Sequence, residues 1–481
     1  MEMFTIAAPT IATMATYTAM QFADGLMVSR IQPASPVYVA AQGNGGMWTW
    51  VAISFVIGVI GVINTYVAQF LGKGEPRKGS AYGWVGIWLP IIFWVLLLPY
   101  AFFLPVLFER VMGHTGELLR LETQYAQISL YGSIFTMIAR GVGQFFFGLH
   151  RAKVPMLAAL IAVGGNIFAN WVLIYGHLGA PALGMAGAAI GTIIGSAVEM
   201  TVLLVVFLGP AYARSHGTRS AWRFRLGPML DVLRLGWPAG AMIVNEMICW
   251  GYLMTNLLPA GGRAAGQSGE LHNSVGWIAL RYMHIAFMPA VGMSIALTAI
   301  VGRCMGMGRP DLAARRAWLG LGVTVGYMGL CALAMVLLRG PAVRLFIDQG
   351  TDPEIAAQMV ALGSRVMVIA AVFQIFDALG IALTGALRGA GDTHWPGLVS
   401  VALSWVFLIL GGNLMIRFWP ELGSIGPWLA ASGYIISVGL ALFVRFLRGK
   451  WRSMSVLREH GGGPEMGIPP DLVAGVSPGS P

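Results

Sequence analysis

Charge is what this sequence has least of. Asp, Glu, Lys and Arg make up only 10% of its 481 residues, against 57% apolar residues, whereas a soluble domain carries roughly 25% charged residues. Too few charges exist to cover a surface in water, which excludes a soluble globule. The 65 Gly and 25 Pro follow no period, which excludes a collagen, and charged helix formers are too scarce for a coiled coil. Alternating apolar and polar residues are also missing. The apolar runs are continuous over more than 20 residues, which argues against an outer-membrane barrel.

Other absences remove whole activities. The three cysteines, Cys249, Cys304 and Cys331, are odd in number and lack metal spacing, so they read as small core residues. The eight histidines lie mostly in loops without the spacing of a metal site. No Walker A sequence is present, so ATP does not drive this chain. The net charge of +10 comes without a dense basic stripe, so no nucleic-acid partner is expected. No basic region precedes the first apolar run, which is read as a retained span rather than a leader. No nucleophile and base converge, and the chain is not expected to be an enzyme.

An all-α polytopic membrane protein remains. Twelve apolar segments reach spanning length, at about 4–29, 45–71, 83–108, 124–149, 155–176, 184–209, 237–260, 275–302, 317–338, 360–387, 396–417 and 427–448. The loops after even-numbered segments, with the tail and Arg445 and Arg448 at the end of the last segment, hold 20 Lys and Arg, and the odd-numbered loops, with Arg417 at the end of the eleventh, hold 7. This bias places both termini in the cytoplasm. The Gly, Gly and Pro of Gly72-Lys73-Gly74-Glu75-Pro76 return in Gly306-Met307-Gly308-Arg309-Pro310 at an offset of 234 residues, and Gly148 and Pro155 return as Gly389 and Pro396 at 241. Six spans is an even number, so the two halves share one orientation and form a parallel repeat. The expected organisation is an N-lobe (1–209), a cytoplasmic linker (210–236), a C-lobe (237–448) and a disordered tail (449–481) that is too rich in Gly and Pro to bury a core.

Four acids and three arginines lie inside the apolar segments away from their ends: Asp24, Glu199, Glu246, Asp377, Arg140, Arg281 and Arg365. An Asp at a helix centre costs about 3 kcal/mol on insertion scales, so it must face protein or water. Asp24 shares a helical face with Tyr17 and Gln21. Glu246 has Met242, Asn245 and Trp250 around it, and Asp377 follows Phe373 and Gln374. Acids walled by Met and aromatics suit lipophilic cations. Glu199, with only Ser196 a turn away, reads as a helix–helix contact. A carboxyl out of water favours its proton, and one beside a cation releases it. One group can therefore exchange a proton or Na⁺ against a cationic substrate, which is a means of coupling antiport.

Together these motifs resemble the MATE (multidrug and toxic compound extrusion) family, in particular its NorM-like branch. The similarity covers nearly all of residues 4–448. It runs through Ala8-Pro9, Asp24 with Met27-Val28, Gln69 to Gly74, Tyr175-Gly176 and Pro181 to Ala188. It continues through Gly236-Trp237-Pro238, Pro289 to Ala296 and Val301-Gly302. The segment from Phe376-Asp377-Ala378 through Leu387-Arg388-Gly389-Ala390-Gly391-Asp392-Thr393 is the most specific. The resemblance implies a two-lobed inner-membrane exporter, driven by Na⁺ or H⁺ and needing no other cofactor. It assigns Glu246 and Asp377 to a C-lobe cation site, with Na⁺ as its metal, and Asp24 to the N-lobe. Phe373 stands where a hydroxyl-bearing aromatic would have offered a ligand. Tyr17, Gln21, Asp24, Met242, Asn245, Trp250, Phe373 and Gln374 are the expected substrate-binding residues. The expected partners are small organic cations or drugs and the lipid bilayer, with the chain acting as a monomer. A lipid or lipid-linked oligosaccharide flippase is the alternative, kept by Arg140, Arg281 and Arg365. An intramembrane enzyme lacks a converging motif.

Overall fold

A computed structural model describes residues 2–33, 35–347 and 352–457. Every regular element among them is helical. We label the long helices α1 (Glu2–Ser29), α2 (Pro36–Ile60, continued by Ile63–Lys73), α3 (Pro76–Leu97), α4 (Gly116–Gly148), α5 (Lys153–Tyr175) and α6 (Met185–Phe207). The second half contains α7 (Leu226–Tyr252), α8 (Gly269–Gly306), α9 (Pro310–Leu337), α10 (Pro353–Ala390), α11 (His394–Leu403, continued by a π-helical stretch to Gly411 and an α-helical one to Phe418) and α12 (Ile425–Leu447). A helix thus covers each of the twelve apolar segments. Among the described residues, nine are both long and apolar enough to cross a membrane on composition, and α1, α4 and α7 fall short. The physical reason is their polar load, because these three carry Tyr17 and Asp24, Arg140, and Asn245 and Glu246.

The repeated Gly-x-Gly-x-Pro sequence is a helix stop and restart. Gly74 closes α2 at φ +81 and Gly308 follows α8 at φ +66, a left-handed conformation that side chains disfavour. Pro76 and Pro310 then occupy the first turns of α3 and α9, where no backbone N–H is needed.

The lobes are tied together by the same repeat. A methyl group placed on Gly72 would lie 2.1 Å from the Arg303 carbonyl oxygen, and one on Gly306 would lie 2.0 Å from that of Gln69. Positions 69 and 303 are themselves 234 residues apart, so the two contacts are mirror copies. A second such pair joins Gly58 to Gly240 and Gly292 to Ile11. This is the self-complementary pattern of an interface about a two-fold axis, as a parallel repeat requires. Side chains close the seam. Thr65 and Gln69 donate to the Arg388 and Gly389 carbonyls at 2.9 and 3.0 Å, and Asn64 donates to that of Ile295 at 3.1 Å.

Apolar cores show where the lobes join. At the end bearing the turns after α2, α4, α8 and α10, Met229, Val232 and Leu235 of α7 pack into the N-lobe core. Reciprocally, Ile6 and Ala7 of α1 pack into the C-lobe core. At the other end the cores are separate. One draws on the C-lobe only, from α7 through α12, and the others on the N-lobe only. There α2 still follows α7 as far as Met47 and Gly251, whereas Phe22 of α1 is 74% exposed.

Some details correct the sequence reading. Glu122, Asp231 and Asp392 lie outside the apolar segments, where solvated charges are expected, yet all three are buried. The helices run past the apolar segments at Glu122 and Asp231, Asp392 sits in the turn between α10 and α11, and each acid is paired there. Glu122 takes His114 Nδ1 at 2.8 Å and Asn44 at 2.9 Å, Asp231 takes the Tyr82 hydroxyl at 2.9 Å, and Asp392 takes Arg445 at 2.8 Å. The chain beyond 449 also does not begin as a disordered tail. Lys450–Ser453 forms a 3₁₀ turn, and Trp451 stacks on Phe446 at 5.0 Å, fully buried. Residues 458–481 of the expected tail lie outside the described residues.

Candidate functional site

Each lobe holds buried or half-buried acids away from the shared cores. In the C-lobe, Glu246 projects from α7 and Asp377 from α10, both half-buried. The two carboxyls interact electrostatically, and the Tyr434 phenol on α12 stands beside both. A turn before Asp377, Gln374 is buried with no hydrogen-bond partner for its Nε2 among the described residues. Trp250, half-buried one turn after Glu246, meets Trp428 with ring centroids 6.4 Å apart. The expected apolar wall is therefore narrower than the sequence reading had it. Met242 and Trp250 remain accessible, but Phe373 is fully buried in the C-lobe core and offers no surface to a substrate.

Asn245 is likewise committed to structure. Its Nδ2 donates to Ser404 at 2.7 Å and its Oδ1 accepts from Trp405 Nε1 at 2.8 Å. Both of its polar ends tie α7 to the π-helical continuation of α11. Asn245→Ala should cost about 1–3 kcal/mol by leaving these partners unmet. It should lower the melting temperature of the purified protein with little change in substrate affinity. A large affinity loss at unchanged stability would return Asn245 to the binding site.

In the N-lobe, Asp24 is buried and accepts from Asn170 Nδ2 at 2.6 Å. Asn166 and Thr192 line the same carboxyl, with the Tyr125 phenol nearby. Asn166 Oδ1 and Asn170 Oδ1 are buried without hydrogen-bond partners among the described residues. The sequence reading missed both asparagines. Their signal was present, because two Asn spaced four apart share one face of the otherwise apolar α5. Gln21, expected beside Asp24, is exposed.

Nearer the middle of that lobe, the Tyr17 hydroxyl donates to Glu199 Oε1 at 2.5 Å, and the Arg140 guanidinium lies 3.5 Å above the Tyr17 ring. Thr136 donates to Ser196 at 2.9 Å beside them. The expected helix contact of Glu199 is thus made with α1. Arg281, by contrast, stacks over Phe346 at 5.5 Å. Among the described residues, no group of three or more His, Cys, Asp and Glu forms a metal cage.

Membrane-spanning helices, two lobes related by a repeat and an acidic chamber in each define an integral membrane transporter. The family described as MatE matches residues 9–172 and 263–412, more than half of the sequence, and the chain belongs to that family. Among curated relatives, the chain is 28% identical over 454 residues to a probable multidrug resistance protein NorM of Mesorhizobium japonicum, covering 92% of each. It is 29% identical to one of Burkholderia pseudomallei, covering 92% of this chain and 91% of that one. Solved structures share the fold at low identity. One is an outward-facing multidrug resistance MATE family transporter of the MOP superfamily (TM-score 0.81, 18% identity, 94% of this chain and 96% of that one). Another is the eukaryotic MATE transporter AtDTX14 (TM-score 0.79, 18% identity, with the same coverage).

Proposed function

We propose that this chain is a cation-coupled antiporter that exports lipophilic, often cationic, organic compounds by alternating access. One observation carries the reading. Among the described residues, no basic group stands near Asp24, Glu246 or Asp377. An acid withdrawn from water cannot remain charged and alone. Each chamber therefore takes a proton, a monovalent cation or a cationic substrate, and exchange among these couples ion entry to cargo exit. The oxygen donors suit a hard monovalent cation. Asp24 has the unmet Asn166 and Asn170 carbonyl oxygens beside it, whereas Glu246 and Asp377 have the Tyr434 phenol and, a turn away, the Gln374 amide, and Phe373 supplies no hydroxyl. The N-lobe chamber is the better Na⁺ ligand set, and the C-lobe pair is the better proton and organic-cation site, with Met242 and Trp250 as its wall.

Relatives named for multidrug resistance point to drugs as cargo. The positive-inside bias places the lobe-joining end and both termini in the cytoplasm, so the parted end opens outward. The arginine-lined flippase cavity is disfavoured, because Arg140 and Arg281 are each laid on an aromatic ring. Protein reconstituted in vesicles should expel a cationic dye under an imposed pH gradient or an imposed Na⁺ gradient. Failure under both would remove the antiport reading. Orientation is scored separately, by whether a cysteine at position 220 is labelled in everted vesicles and protected in intact cells.

A further inference from the structure

The linker between the lobes has properties that export does not use. Between residues 210 and 230 it carries Arg214, Arg219, Arg223 and Arg225 and no acid. Within it, Trp222, Phe224 and Leu226 are 55%, 52% and 60% exposed, alternating with Arg223 and Arg225. Apolar side chains of this size are not left in water without a partner. Aromatics interleaved with arginines are the composition of a membrane interface, where rings sit at headgroup level and bases meet phosphates.

The root of the linker is held firmly. Trp84 and Trp88 of α3 donate to the Thr218 and Trp222 carbonyls at 2.6 and 3.2 Å, and Thr218 donates to the Phe207 carbonyl at 2.7 Å. Beside it lies a groove of about 440 Å³, walled by Thr201, Leu204, Val205, Leu208, Pro210 and Arg219. Val205 is 65% exposed on the outer face of α6. Arg219 is pinned at the mouth by its Nε, which donates to the Leu208 carbonyl at 2.7 Å. That bond leaves the two terminal amino groups of the guanidinium to face an anion. An apolar trough ending in a fixed arginine matches one ligand chemistry, an acyl chain joined to a phosphate.

We propose that this groove seats an anionic phospholipid, its acyl chain along Leu204, Val205 and Leu208 and its phosphate on Arg219. Arg223 and Arg225 add to the attraction, and Trp222 and Phe224 insert at the same level. The assignment to the cytoplasmic leaflet rests on the orientation proposed above. Binding itself does not, because detergent micelles have no sides.

The test is native mass spectrometry of the detergent-purified full chain with phosphatidylglycerol and phosphatidylcholine of the same acyl chains. The wild type should retain phosphatidylglycerol roughly tenfold better than phosphatidylcholine. Arg219→Gln should lower that preference roughly fivefold, Arg223 and Arg225 keeping the remainder. Val205→Trp fills the groove from the lipid-facing side and should release phosphatidylglycerol with every arginine still in place. Melting curves establish that both variants are folded, and Val205→Trp decides alone if Arg219→Gln is not. Equal retention of the two lipids overturns the proposal, as does a folded Arg219→Gln that binds like the wild type. Undiminished phosphatidylglycerol binding by Val205→Trp also overturns it, since the lipid would then lie on the basic surface rather than in the groove.

Discussion

Asp377→Asn is expected to abolish uphill export of a cationic dye while leaving the protein folded and in the membrane. The substitution keeps the shape of the side chain and removes the charge that faces Glu246 across the C-lobe chamber. Asn can neither exchange a proton nor neutralise an organic cation. If each cycle takes in two monovalent cations for one monocationic dye expelled, one net charge enters, and 100 mV of membrane potential contributes about 2.3 kcal/mol. That energy sustains roughly a fiftyfold concentration ratio of cargo at RT ≈ 0.6 kcal/mol. A variant without the coupling acid should fall to a ratio near one. Glu246→Gln should do the same, and the double variant should be no worse, because the two acids act as one unit. The measurement is dye accumulation by everted vesicles at matched protein levels. Unchanged efflux in both single variants would mean that the chamber is not the coupling site.

Gly306→Ala should shift the molecule away from the state in which the lobes meet. The new methyl group would sit 2.0 Å from the Gln69 carbonyl oxygen. Its obstacle is backbone held within a helix, which cannot swing aside as a side-chain tip can. Overpacking of this kind costs about 1–3 kcal/mol. The penalty falls only on the state in which α2 and α8 touch. In an alternating-access cycle, it acts on the balance between two states, and about 3 kcal/mol changes their ratio by roughly a hundredfold. The signal is a lengthened spin-label distance between cysteines at positions 73 and 307, in a background without the three native cysteines, together with a transport rate at least roughly tenfold lower. Gly72→Ala should reproduce both effects, because its methyl group meets the Arg303 carbonyl through the symmetric contact. A response from only one of the two would point to a local folding defect instead.

How much of the site was legible depended on how each residue works. Asp24, Glu246 and Asp377 stood out as candidates because a charge in an apolar run demands explanation wherever it lies. Phe373 and Asn245 were misread for a related reason. Being on the same stretch of helix as an acid does not mean facing the same space, and a helix presents some side chains to its neighbours. Phe373 turns into the C-lobe core, and Asn245 is taken up by Ser404 and Trp405. Asn166, Asn170 and Tyr434 carry no charge, so they drew no attention until the folding of α5 and α12 brought them to the acids. Glu122, Asp231 and Asp392 looked like solvated loop charges, since only the tertiary contacts reveal His114, Tyr82 and Arg445 as their partners.

By itself, the sequence determined that the chain lives in a membrane, because too few charges exist to face water and long apolar runs have no other solvent. It also determined the doubling of the fold, since repeated Gly-x-Gly-x-Pro turns at one offset mark the same helix stop twice. What it left open was pairing. Which acid meets which neighbour, and which end of the molecule is sealed, depend on contacts between residues hundreds of positions apart. Only the tertiary structure decided these. It placed Gly72 and Gly306 against reciprocal backbones at one end and left each lobe with its own core, and its own acid, at the other.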